Sequence, residues 1–212
     1  MSEPLATTLI PYVEDEPLAS VASRFHPDEP DMKDADLVLL ATDAVFFYAH
    51  RAVLLHKSSN NFGGLVTPEH VVPLIGPHTH SLPEAIVTNY RPEVLNVILL
   101  AVYELPMRLC DPSLETLREV APALVTLGYD LRSIAAPCSE LFRLLLEAAE
   151  GDPLSLYAVA AQHSFEELAV PASRFSLNKS IKNLSDELAE QMGPIYLRRL
   201  LRTSPILITP SL

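Results

Sequence analysis

An α+β fold, with strands near the start of the chain and helices through the rest, follows from three observations. Residues 36–62 hold two short apolar runs separated by a turn, then a switch to helical spacing. After residue 92, apolar residues recur at the 3.6-residue period of amphipathic helices. Hydrophobic residues make up 49% of the 212, enough to bury a core and to exclude a chain disordered as a whole.

Residues 1–33 read as an acidic segment broken by prolines, with Glu14, Asp15 and Glu16 followed by Asp28, Glu29 and Asp31. Leu18, Val21, Ala22 and Phe25 have helical spacing within it. Leu37, Val38, Leu39, Leu40 and Ala41 form a run too short for a typical helix, and fit a strand buried on both faces. Thr42, Asp43 and Ala44 supply the turn, because an Asp side chain can bond to nearby backbone and so favours reversal. Val45, Phe46, Phe47 and Tyr48 are β-branched or aromatic and fit the returning strand. From His50, Val53 and Leu54 follow at helical spacing. Ser58 or Ser59 caps a second short helix carrying Phe62, which Gly63 and Gly64 end.

Residues 67–92 contain Pro68, Pro73, Pro77, Pro83 and Pro92. Repeated proline excludes a long helix and allows at most an edge strand, placed at residues 71–75. Pro92 opens a helix over 94–104 that is apolar nearly all round and therefore buried. Asp111 and Pro112 form the next start signal, Leu114, Leu117, Val120, Ala121, Leu124 and Val125 line one face, Pro122 kinks or splits that helix, and Gly128 stops it. Beyond it the pattern is all-helical. Helices are expected over 139–150, ended by Gly151, from Asp152-Pro153, from a Ser164–Glu167 capping box, and from Ser185 to a stop at Gly193-Pro194. Residues 195–202 form a last segment.

Asp36 before an apolar strand, Phe47 and His50 at Phe-x-x-His spacing, Val53-Leu54, Ser58, Phe62, and Tyr103 closing the buried helix together resemble the BTB (POZ) domain. Ser58-Ser59-Asn60-Asn61-Phe62 is one residue longer than the usual Ser-Pro-Tyr-Phe and resembles the fungal form. The Pro-Leu-x-x-Tyr-Ala-x-Ala pattern starting at Pro153 resembles the helical extension that follows the core in fungal members. The resemblance implies a BTB core over 34–130, made of a short mixed sheet flanked by helices. It implies an all-α extension over 131–204 and a tail over 205–212. BTB proteins homodimerise, often through the first helix and the strand before it, which would place the dimer interface at Leu9, Ile10, Tyr12, Leu18, Val21 and Phe25. Some bridge partners to cullin-3 ubiquitin ligases, so cullin-3 enters as a partner on the resemblance. The hydrophobic-x-acidic motif of some adaptors is not matched by Val66-Thr67-Pro68-Glu69, where the spacing differs.

Residues that could carry chemistry have plainer readings. A lone histidine between a strand and a helix, as His50 is, reads as a core residue whose ring nitrogens meet backbone groups. Asp36 reads as a capping or turn carboxylate. His78 and His80 project from one side of an extended segment near His70 and could ligate zinc or copper, but no cysteine or acidic triplet completes the set, so they read as solvated. No nucleophile elbow, P-loop or dinucleotide fingerprint occurs. Cys110 and Cys138 lack ligand spacing and read as two free thiols, with a single disulfide as the alternative. Arg198, Arg199 and Arg202 read as cations complementing a helix C-terminus, with a docking patch for an acidic partner as the alternative.

A formal net charge of -12 repels phosphate backbones and anionic membranes, which argues against nucleic-acid and membrane binding. No stretch approaches the roughly 20 apolar residues of a membrane span, and residues 1–13 make a poor secretory signal, so the expected location is intracellular, in cytoplasm or nucleus. The expectation is a non-catalytic protein–protein interaction module that homodimerises and recruits partners, without cofactor, metal or small-molecule substrate. A transcriptional co-regulator using BTB dimerisation is the alternative, and a metal-dependent enzyme built on His70, His78 and His80 the remote one.

Overall fold

A computed structural model describes residues 20–68, 83–107, 110–176 and 184–203. It is mixed α+β and mostly helical. Four short strands, β1 (Ser20–Val21), β2 (Leu37–Leu40), β3 (Val45–Ala49) and β4 (Glu84–Val87), form one sheet in the order β1-β3-β2-β4. β2 and β3 are an antiparallel hairpin with Leu37 opposite Ala49 and Leu40 opposite Phe46. Their turn is where Thr42–Ala44 predicts it, closed by Ala41 N–H donating to the Val45 carbonyl at 2.9 Å. Leu37, Val38 and Leu39 are buried in succession, as a strand covered on both faces requires.

Both edge strands run parallel to their neighbours and were missed by period reading. β1 occupies part of the expected helix around Leu18–Phe25. Ser20 and Ala22 N–H bond to the Ala44 and Phe46 carbonyls of β3, and a 3₁₀ turn, Ser23–Phe25, follows. Pairing with β3 thus overrides the helical spacing. Phe25 is turned fully inward, against the rings of Phe47 and Tyr103 with centroids 6.0 and 5.7 Å away. It is a core residue of the protomer and is withdrawn from the interface set. β4 follows Pro83 directly, so the proline precedes the strand and removes no ladder bond from it. The edge strand expected at 71–75 lies outside the described residues.

Helices α1 (Arg51–His56), α2 (Pro92–Val102) and α3 (Leu114–Thr126) come next, and α3 packs on α2. α2 is buried at every position from Val97 to Val102. α3 is capped by Ser113, whose Oγ accepts from Thr116 N–H at 3.1 Å, and not by Asp111. Pro122 does not split it. The remaining helices are α4 (Leu131–Ile134), α5 (Glu140–Gly151), α6 (Pro153–Gln162), α7 (Glu166–Ser176) and α8 (Asp186–Thr203). α8 is interrupted at Gly193, φ 68° and ψ 168°, where the sequence places a stop. Gly151 belongs to the last turn of α5, and Asp152 caps α6.

The capping box at Ser164 does not form. Ser164 has φ 52°, its N–H bonds to the Ala161 carbonyl, and Phe165 N–H bonds to the Ala160 carbonyl, so the residue closes α6 in a Schellman motif. α6 is buried from Pro153 through Ala161 and is packed by α5, α7 and α8 as well as α3. One hydrophobic cluster runs from Phe25 to Leu200, so the extension continues the core across residue 130.

His163, at the end of α6, has a buried Nε2 with no hydrogen-bond partner among the described residues, and burial holds its imidazole below the ordinary 6.5. The unfolded chain therefore binds more protons just below pH 6.5 than the folded one. The contribution is complete above 6.5 and is lost as pH falls towards the folded value. Thermal melts should show wild-type Tm falling more between pH 7.5 and about 5.5 than that of His163→Leu. Equal falls would show that His163 is not the group responsible.

Candidate functional site

The seam between the hairpin and α1 joins the residues that carry the family resemblance. Asp36 ends the approach to β2, and its Oδ1 accepts the Arg51 backbone N–H at 2.8 Å, capping α1 from across the hairpin. His50 sits immediately before α1. Its Nε2 faces the Lys33 carbonyl at 3.0 Å and must donate there, because a carbonyl only accepts. Nδ1 is then the acceptor, and the Tyr103 hydroxyl, 3.2 Å away, donates to it while accepting the His50 backbone N–H at 2.6 Å. Burial pushes the Tyr103 phenol up to about 12, so it stays a donor at any physiological pH. These bonds explain the pairing of His50 with Tyr103: together they lock β3, α1 and the end of α2.

Arg51 is the member that sequence reasoning left without a role. Its side chain is 7% exposed, pairs with Glu84 on β4 and with the Thr67 carbonyl, and lies 3.6 Å from Asp36 through Nε. One guanidinium thus ties the start of α1 to β4 and to the approach to β2. Its position beside His50, just after a strand, was the available signal, but period analysis assigns no partner to a buried arginine.

Ser58 and Phe62 are brought together as expected, though not in a helix. Ser58 Oγ accepts Phe62 N–H at 2.7 Å and donates to the Leu127 carbonyl at 2.7 Å. Asn61, Phe62, Gly63 and Gly64 all have φ between 56° and 77°, a left-handed turn that carries the fully buried Phe62 ring against Tyr129. The extra residue at Asn60-Asn61 belongs to this turn. Asn60 Nδ2 donates to the Thr126 carbonyl, and its Oδ1 accepts Gly63 N–H. Val53 and Leu54 lie on α1, with Leu54 fully buried and its carbonyl accepting the Tyr129 hydroxyl at 2.8 Å.

Asp36, His50, Arg51 and Tyr103 are each held by backbone groups or by one another. Among the described residues no group of three or more His, Cys, Asp or Glu could hold a metal ion, and His70, His78 and His80 lie outside them. Cys110 and Cys138 are free thiols, and burial pushes the Cys110 thiol up. Among the described residues no helix is long and apolar enough to cross a membrane. Of the interface candidates, Leu9, Ile10, Tyr12 and Leu18 lie outside the described residues, and Val21 is exposed on β1.

Concavities among the described residues include three that offer surface for recognition. One of about 400 Å³ lies beyond the end of α2, lined by Lys57, Leu100, Met107, Ile134 and Cys138. One of about 630 Å³ lies beside the 3₁₀ turn, lined by Arg24, Asn96, Leu100, Pro106 and Cys110. A third, of about 310 Å³, lies along α7 and α8, with Tyr157, Arg174, Tyr196 and Arg199 in its wall. No protein-family model, curated protein or solved structure matches the chain.

Proposed function

We propose that this chain is a BTB-type protein–protein interaction module that homodimerises and recruits partners, without catalysis. The observation that carries the reading is the seam itself. Residues that resemble the BTB pattern, Asp36, His50 and Tyr103, meet in one hydrogen-bonded junction, and Ser58 positions Phe62 beside it. A buried arginine in that junction is ion-paired to two carboxylates, which fixes geometry and leaves no free acid, base or nucleophile there. The edge strands β1 and β4 flank the hairpin, and β1 leads directly back to the candidate interface residues. Cullin-3 recruitment is not carried into the proposal, because the loop at Val66–Pro68 does not match the adaptor spacing.

Light scattering tests the dimer. Wild type should have twice the monomer mass at micromolar concentration. The variant L9D/I10D/Y12D should be monomeric with an unchanged circular dichroism melt, since charged groups are expensive to bury in an apolar interface. A wild-type chain that stays monomeric throughout sinks the reading. Phe25→Asp is unsuitable for this purpose, because it disrupts the core of each protomer.

A further inference from the structure

We propose that the groove along α7 and α8 is the docking site for the acidic segment 12–18 of a second copy of this chain. The inference rests on the self-association proposed above and names the surface that receives the segment. The groove already shows what it accepts. Arg199 and the Tyr196 hydroxyl both hold the Glu166 carboxylate, the latter at 2.9 Å, and the Arg199 guanidinium lies 5.1 Å from the Tyr196 ring centroid. Arg174 also lines the groove, Arg198 and Arg202 are exposed on the same stretch of α8 as Arg199, and these three make no ion pair among the described residues. The chain has 27 acidic residues and 15 Lys plus Arg, so this is not a shortage of carboxylates. It is a local basic surface on an acidic protein, suited to an external anion. Val170 in the groove wall, 49% exposed, adds apolar contact beside the charges.

Residues 12–18 read Tyr-Val-Glu-Asp-Glu-Pro-Leu, three consecutive carboxylates between apolar residues, with a proline that disfavours helix. Its charge is therefore opposite to that of the exposed arginines along α7 and α8. Glu14 lies six residues before Ser20 of β1, which limits its reach from that strand to about 20 Å. Two copies that exchange segments in both directions make a closed twofold pair.

A charge-swap experiment on the full chain tests the pairing. Sedimentation or light scattering is run on wild type, on R174E/R198E/R202E and on E14K/D15K/E16K, with melting curves as the folding control. Each variant alone should dimerise about tenfold or more weakly than wild type. An equimolar mixture of the two should recover association, because both contacts then join opposite charges. Wild-type association should also weaken between about 0.05 and 0.5 M NaCl, a measurement that needs no variant. A dimer untouched by the arginine reversal overturns the groove assignment and leaves self-association standing. Variants that stay apart when mixed overturn the pairing. A wild type that never associates overturns self-association and this inference together.

Discussion

Replacing Phe25 with alanine should destabilise the chain by about 3–5 kcal/mol, the cost of emptying a fully buried phenylalanine site. The ring fills the corner where the 3₁₀ turn meets β3 and α2, in edge contact with Tyr103 and tilted against Phe47. Both neighbours are anchored, Phe47 by the hairpin and Tyr103 by its bonds to His50, so they cannot collapse into the space. A chain of this size should lose about 10 °C in Tm. Phe25→Leu, which keeps most of the volume, should lose much less. Denaturant unfolding followed by circular dichroism reads the difference. An alanine variant within 1 kcal/mol of wild type would show that residues 20–25 contribute little to the core.

Gly128→Ala should cost about 2–5 kcal/mol, from two independent causes. Gly128 has φ 82°, where an L side chain is strained. A Cβ there would also stand 2.2 Å from Asn60 Oδ1 and 2.8 Å from the Asn60 backbone nitrogen. The side-chain part of the clash can relax, but the backbone part cannot, because Ser59 N–H and Oγ both bond to the Gly128 carbonyl. The double variant Asn60→Gly/Gly128→Ala should therefore recover only part of the loss, giving a non-additive cycle. Strict additivity would show that the two residues do not touch. Here the end of α3 and the left-handed turn that seats Phe62 depend on each other, although they are far apart in sequence.

How far each feature was legible depends on the range of the forces behind it. The hairpin, α1, the buried α2 and the capped starts of α5 and α6 rest on local pattern, and they lie where the residues place them. The misassignments share one cause, which is a contact from outside the window. Ser20 and Ala22 bond to β3, so helical spacing yields to a strand. Ser164 is taken by the end of α6, so a capping sequence does not cap α7. Ser58 bonds to Leu127, and a turn replaces a short helix. Arg51 was silent because its partners, Asp36, Thr67 and Glu84, come from separate segments. The arginines along α7 and α8 were half visible as a basic patch, but that Arg199 pairs with Glu166 while Arg174, Arg198 and Arg202 make no ion pair among the described residues is a fact of packing.

Periodicity, turn chemistry and capping residues were therefore enough to establish an α+β chain whose first part is a strand–turn–strand–helix unit and whose remainder is helical. These depend on residues within a few positions of one another, and the backbone responds to them locally. The edge strands, the inward turn of Phe25, the polar junction of His50, Arg51 and Tyr103, and the single core joining the helical extension to the sheet required the packed chain. Each depends on groups far apart in sequence, and hydrophobic burial and long-range hydrogen bonds become specific only when the fold has brought those groups into contact.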